Sequence, residues 1–190
     1  MTQEIAVSII GTAGRKDDGP RMTAVLFQHM IEHAKTLLPK LNRGQTLRLV
    51  SGGAAWADHV AVMLFLENPT AYSGLTIYSP APWNNTTHAY SVAPTSPQQF
   101  DAGSISNYYH GLFSQVIGRN TLLDIERAIA LGAVFDTSRK GFKPRNTQVA
   151  KSDYLIAFTW GINEPADGGT GDTWAKSKAL YKIHVPLATL

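Results

Sequence analysis

Thr46-Leu-Arg-Leu-Val-Ser-Gly-Gly-Ala-Ala-Trp-Ala-Asp-His-Val-Ala-Val-Met-Leu-Phe-Leu-Glu67 is the stretch on which the fold turns. Thr46 to Val50 is a short apolar run with strand character, Ser51 to Ala55 is a turn of small residues, and Trp56 to Glu67 is helical in its apolar spacing, closed by Asn68-Pro69. A strand that turns at once into a helix is half of a crossover unit. The double glycine within "SGGAAWADH" suits two purposes, a packing turn or a phosphate cradle, because both need a backbone free of bulk.

The same pattern extends to either side. Ile5 to Ile10 is a continuous apolar run ending at Gly11 and reads as a strand buried on both faces. The loop "GTAGRKDDGPR" follows, then a helix from Met22 to Leu38 that Pro39 stops. Gly74 to Tyr78 is a third strand leading into "SPAPWNN". Leu122 to Leu131 reads as a helix, Ala133 to Asp136 as a short strand, and Lys143 to Ser152 as a helix with Pro144 in its first turn. Tyr154 to Thr159 is again a buried strand; a helix from Thr173 to about Lys182 and a strand from His184 to Leu187 complete the chain. This alternation predicts one α/β domain over residues 1–190, an open, mainly parallel sheet of about five to six strands with helices on both faces. Residues 84–120 interrupt it with Asn, Thr, Ser, Pro, Tyr and Gly, and an insertion of that length points to a lid or binding segment.

Composition narrows the function classes. The chain has 190 residues, 44% hydrophobic and 16% charged, enough for a sizeable core. Seventeen Lys plus Arg against 14 Asp plus Glu give +3, with the basic residues scattered, so neither a nucleic-acid surface nor a membrane surface is expected. Cysteine is absent, which removes thiolate chemistry and Cys-ligated zinc and suits a cytoplasmic location. No window approaches the roughly 20 apolar residues of a membrane span, and the N-terminal apolar run is too brief for a signal segment.

Ligands of open α/β sheets bind outside the carboxyl ends of the strands, where helix N-termini present free N–H groups. Four loops leave strand ends with suitable chemistry: Gly11 to Arg15, Ser51 to Ala55, Ser79 to Asn84, and Asp167 to Thr173. The last is a Gly-rich phosphate cradle by composition, although it lacks the Gly-Lys-Ser/Thr ending of a Walker loop, and "GTAGR" lacks the full dinucleotide fingerprint. Arg15, Arg145 and Asn146 stand beside these loops, and Arg suits bidentate recognition of an anion. Trp83 fits either core packing or a flat wall against a base. His29 and His33 have helical metal-ligand spacing but no H-E-x-x-H arrangement, so no metal is expected. Asp58 and His59 open a helix beside the double glycine, where an Asp also suits the helix dipole.

Taken together, "IGTAGR", "SGGAAWADHVAV", "YSPAPWN", "GFKPRNTQVAKSDYLIAF" and "DGGTGDTWAKSKALYKIHVPL" resemble the SLOG superfamily, most nearly its YspA/YpsA-like proteins, with Lonely Guy enzymes and DNA-processing proteins as more distant relatives. The resemblance implies a Rossmann-like sheet binding a nucleotide or nucleotide-derived ligand, of cyclic-nucleotide or ADP-ribose type, for sensing, sequestration or delivery, with no further cofactor. It assigns the ligand to Gly11, Thr12, Gly14 and Arg15; Ser51, Gly52, Gly53 and Asp58; Arg145 and Asn146; and Gly168, Gly169, Thr170, Gly171 and Thr173. It also implies that relatives pair through helices, which leaves a homo-oligomer open, the first helix being apolar enough. One departure bears on chemistry. Lonely Guy enzymes carry Pro-Gly-Gly-x-Gly-Thr-x-x-Glu, and here Ala175 stands where the acidic residue is expected. The alternative function, a hydrolase or transferase acting on a nucleotide N-glycosidic bond, would draw its carboxylate from Asp58, Glu126, Asp153 or Asp172, with Tyr108, Tyr109 and His110 of the insertion closing over the site.

Overall fold

Alternate residues of the first strand enter two different cores, and this divides the protein into layers. In the computed structural model, which describes residues 4–94 and 101–190, β1 (Glu4–Gly11) sends Ile5, Val7 and Ile9 to one face of a sheet and Ile10 to the other. On the first face these residues meet α1 (Ala24–Asn42), α2 (His59–Glu67) and α4 (Thr121–Ala130) through Phe27, Met30, Val60, Leu64 and Ile125. On the second, Ile10 joins Val149 of α5 (Phe142–Val149) and Trp174 of α6 (Gly168–Lys176). A strand covered on both sides must be apolar throughout, as the Ile5 to Ile10 run is.

The remaining sheet strands are β2 (Thr46–Ser51), β3 (Gly74–Tyr78), β6 (Val134–Asp136), β7 (Tyr154–Thr159) and β8 (Tyr181–Pro186). All six are parallel and lie in the order β6-β3-β2-β1-β7-β8. Val7 pairs with Leu49 on one side and Tyr154 on the other, so β1 is central. This is the expected α/β architecture with the upper strand count.

Several boundaries differ from the sequence reading, among them the end of α5 at Val149 instead of Ser152. The first helix continues through Pro39 to Asn42, because a proline in the last turn forfeits only one i to i−4 bond; the turn ends at Arg43 and Gly44, at φ 47° and 78°. The sixth helix begins at Gly168, not Thr173, and ends at Lys176, so the Gly-rich segment is its first turn and no separate loop. The last strand accordingly starts at Tyr181. Finally, the insertion at 84–120 carries regular structure: a two-stranded hairpin of β4 (Trp83–Asn84) and β5 (Ala89–Tyr90), and a 16-residue helix, α3 (Ala102–Ile117), capped by Asp101 on the amide of Ser104. The buried positions of α3 are Gly103, Ser106, His110 and Phe113, spaced as a helix face but mostly not apolar, which hides the helix from a hydrophobic pattern. Residues 95–100 of the insertion lie outside the described residues. Among the described residues no helix is long and apolar enough to cross a membrane.

Candidate functional site

The chain runs from β1 outward through β2 and β3 to β6, then returns to place β7 on the other flank of β1. At such a reversal neighbouring connections leave in opposite directions and a crevice opens at the strand ends. A cleft of about 940 Å³ lies there. Its walls are Gly11 to Ala13, Arg15 and Lys16 after β1, Thr159 to Asp167 after β7, and the first turns of α5 and α6.

The turn after β2 braces this cleft from behind. Ser51 Oγ donates to the Asp58 carbonyl at 2.8 Å and accepts from the Gly53 amide at 3.0 Å, while Asp58 Oδ2 accepts from the Gly52 amide at 3.0 Å. Gly52 is obligatory here, since a Cβ would overlap the guanidinium of Arg145 and stand 2.5 Å from Asp58 Oδ2. Gly53 has φ 68°, and its carbonyl accepts from Tyr90 Oη at 2.6 Å and His110 Nε2 at 3.1 Å. Trp56 itself sits at φ 62°, a costly value for a bulky residue, held against Phe113 at 4.3 Å and abutting Gly14, where a Cβ would stand 2.6 Å from the indole nitrogen. The double glycine thus serves packing, giving room to Arg145 and Asp58 and a carbonyl to Tyr90 and His110.

Beneath it lies a buried ion pair. Arg145 Nη1 stands 3.2 Å from Asp58 Oδ2, with Arg145 8% and Asp58 4% exposed. Burial pushes the Asp58 carboxyl above the usual carboxylate range, against the pull of Arg145 and of the amides of Gly52, Ala54 and Gly11. Burial likewise works against the Arg145 charge, with Asp58 opposing it. Arg145 Nε is buried with no hydrogen-bond partner among the described residues, although Arg145 lines the cleft. A buried N–H without an acceptor costs about 1–3 kcal/mol unless something supplies one.

The first turn of α6 faces the same space. Asp167 makes no side-chain cap, so the amides of Gly168, Gly169 and Thr170 keep the free N–H character of a helix start. The turn is fixed in three ways: Thr170 Oγ1 donates to the Gly11 carbonyl at 2.8 Å, Thr173 Oγ1 to the Gly169 carbonyl at 2.9 Å, and Asn146 Nδ2 to the Gly169 carbonyl at 3.3 Å and Asp172 Oδ2 at 3.1 Å. Gly171 permits close approach, since a Cβ would stand 2.5 Å from the Ala166 carbonyl carbon. Thr12 Oγ1 donates to Asp18 Oδ2 at 2.5 Å and accepts from the Gly14 amide at 3.1 Å, shaping the opposite wall.

The structure therefore brings together Gly11, Thr12, Arg15, Asp58, Arg145, Asn146, Gly168, Gly169, Thr170, Asp172 and Thr173 around one cleft. Gly14, Ser51, Gly52, Gly53 and Gly171, also expected to bind the ligand, do not line the cleft and serve the packing and hydrogen bonding behind it. Trp83 is not a wall of the cleft: it packs against Tyr90 and Phe135 at 5.5 and 5.7 Å, the core alternative. Glu126 lies outside it, bound to His88 Nδ1 at 2.7 Å. Asp153 precedes β7, at the opposite end of that strand, where it accepts from the Ala6 amide at 2.8 Å. Asp172 is at the cleft, its carboxyl held below the usual range by the hydrogen bond from Lys176, with Asn146 adding to it. Of the insertion, Tyr109 covers the Arg15 guanidinium at 4.9 Å, opposite Phe142 at 5.2 Å, and His110 is buried beneath, while Tyr108 is exposed. His29 and His33 part company, one at the Leu190 carbonyl and one against Phe158. Cleft residues that sequence reasoning passed over are Asp18, Lys143, Trp160 and Glu164. Trp160 and Glu164 leave a strand end directly, the signal by which they could have been found.

Two histidines behind the site make stability acid-sensitive. His110 donates from Nε2 to the Gly53 carbonyl, which leaves Nδ1 to accept from Thr121 Oγ1 at 2.8 Å; burial and the neighbouring His59 push its pKa down to about 3. Burial also lowers His59, against the pull of Asp124. Burial acts to raise Asp124, but hydrogen bonds from His59 and Arg119 outweigh it and hold the carboxyl at about 2. The unfolded chain binds the histidine protons more tightly, so their contribution is complete above a pH of about 6.5 and falls as the pH drops, for His110 by up to about 1.4 kcal/mol per pH unit. Asp58, with its raised carboxyl, works the other way. The difference between proteins therefore carries the test: His110→Gln, whose amide can still donate to Gly53, should lose less urea stability than the parent between pH 7 and 5. Equal losses would contradict the neutral, buried His110.

Over 189 residues the chain is 35% identical to Uncharacterized protein R261 of Acanthamoeba polyphaga mimivirus, a match covering 97% of each chain. No family model matches the chain, and no solved structure does so.

Proposed function

The chain belongs to one family with this mimivirus protein, and we propose that it binds a nucleotide or nucleotide-derived ligand in the cleft between β1 and β7, with the anionic group at the first turn of α6. The observation that carries the reading is Arg145, buried, held on one side by Asp58 and left with an unpartnered Nε, in the cleft that the uncapped first turn of α6 also lines. An anion supplies acceptors to both sets of donors. The cleft volume lies within the roughly 300–1,000 Å³ range of ligand sites, and the loops that form it carry the SLOG resemblance.

Binding is favoured over catalysis because the carboxylates at hand are engaged. Asp58 is committed to Arg145 and backbone amides, and Asp172 to Asn146 and Lys176. Of the carboxylates named for a hydrolase, Asp172 lines the cleft with its carboxyl held below the usual range, and it keeps the hydrolase reading as a testable second. A panel of AMP, cyclic AMP and ADP-ribose separates the two. A bound member at a concentration of 100 Kd should raise the unfolding midpoint by about 5–10 °C with no free base detected chromatographically. Base release lost in Asp172→Asn would favour the hydrolase; neither shift nor release would end both readings.

A further inference from the structure

The segment that leaves β7, Trp160 to Pro165, lines the same cleft as the first turns of α5 and α6 but differs from them in chemistry. Trp160 directly follows the strand, and the guanidinium of Arg21 lies over its indole, 3.6 Å from the ring centroid. Arg21 is not a wall of the cleft, so the cation steadies the ring without taking up the space a ligand would fill. Ile162, large and apolar, is 81% exposed on the same wall. Glu164 is tied to α6, its Oε2 accepting from Nε1 of the buried Trp174 at 3.2 Å. A carboxylate offers about four acceptor sites, so Glu164 can take further N–H donors. An apolar wall with a carboxylate does not suit a phosphate. Along the whole cleft Asp and Glu outnumber Lys and Arg by five to four, which disfavours a chain of phosphates.

From the reading of the cleft as a nucleotide site, on which this inference rests, we propose that Trp160 to Pro165 is the base subsite and that it selects guanine on a single phosphate. With the phosphate at Arg145 and the start of α6, the base lies against Trp160 and Ile162, and its N1–H and exocyclic N2–H donate to Glu164. Stacking on an aromatic ring serves any base, so selection falls to the carboxylate. The two N–H groups of guanine lie side by side on one edge and match a carboxylate fork to fork. Adenine sets an acceptor beside its donor, and that acceptor would face a negative charge.

Isothermal titration calorimetry of the full chain with GMP, IMP, AMP and ribose 5-phosphate tests this. GMP should bind roughly tenfold more tightly than AMP, with IMP, which has the N1–H but no exocyclic amine, in between. Glu164→Gln keeps an acceptor for Trp174 and should abolish the preference for GMP over AMP. Trp160→Ala should weaken both nucleotides about tenfold. Neither variant should alter the binding of ribose 5-phosphate, which shows that each is folded with its anion end intact. GMP no tighter than ribose 5-phosphate, or a GMP preference that survives Glu164→Gln, overturns the base subsite and leaves the anion site standing. Binding of none of the four ends both.

Discussion

Arg145→Leu should destabilise the protein by about 3–5 kcal/mol, because it leaves Asp58 buried with its charge uncompensated. The loss should exceed what the removed packing alone would cost. Asp58→Asn in the same chain should recover part of it, since the amide still fills the space without demanding a counter-charge. Urea unfolding of the two single variants and the double variant gives the coupling directly. Additive effects would mean that the 3.2 Å contact carries no energetic coupling. For ligand studies Arg145→Lys is the better probe. It keeps a cation near Asp58 but removes the planar fork and the buried, unpartnered Nε donor.

Gly52→Ala should be the next most damaging single change. The backbone at Gly52 is not in the left-handed region, so an alanine meets no conformational penalty there. The obstacle is steric: the new methyl group would occupy the place of the Arg145 guanidinium and crowd Asp58. Both side chains are boxed in, and overpacking of this kind costs about 1–3 kcal/mol. More telling than the magnitude is its dependence on background. In an Arg145→Ala chain only Asp58 Oδ2 still crowds the methyl group, so Gly52→Ala should then cost less. A cost that is the same in both backgrounds would show that something other than the guanidinium requires the glycine.

How far the sequence spoke depended on what each segment does. Strands covered on both faces are continuous apolar runs, so β1, β3 and β7 were legible to within a residue or two. Of the loops singled out at strand ends, that after β1 lines the cleft, as does the Gly-rich turn that opens α6, whereas that after β3, Ser79 to Asn84, does not. The buried face of α3 was not legible, because it is built from Gly103, Ser106 and His110, whose value lies in close packing against Ser91 and in hydrogen bonding to Gly53, not in apolarity. The role of Asp58 was also hidden. Its spacing suggested a residue at the rim, and only the fold brings Arg145, 87 residues further on, against it. Glu126 and Trp83 were drawn toward the site by residue type, and their surroundings send them to a surface pair with His88 and to the aromatic core. Trp160 and Glu164 escaped notice because a loop rich in Gly, Asn and Pro gives no pattern beyond its position after β7.

The most direct measurement is a titration of the ¹⁵N-labelled protein with AMP, followed by its amide spectrum. An anion held at the start of α6 should move the amide resonances of Gly168, Gly169 and Thr170 and the Nε–H of Arg145 together, along one saturating curve. In Arg145→Lys these shifts should weaken at least tenfold in apparent affinity, about 1.4 kcal/mol, while the rest of the spectrum stays dispersed. Saturating shifts confined to residues remote from the β1 and β7 ends, or unchanged affinity in Arg145→Lys, would contradict an anion site in this cleft.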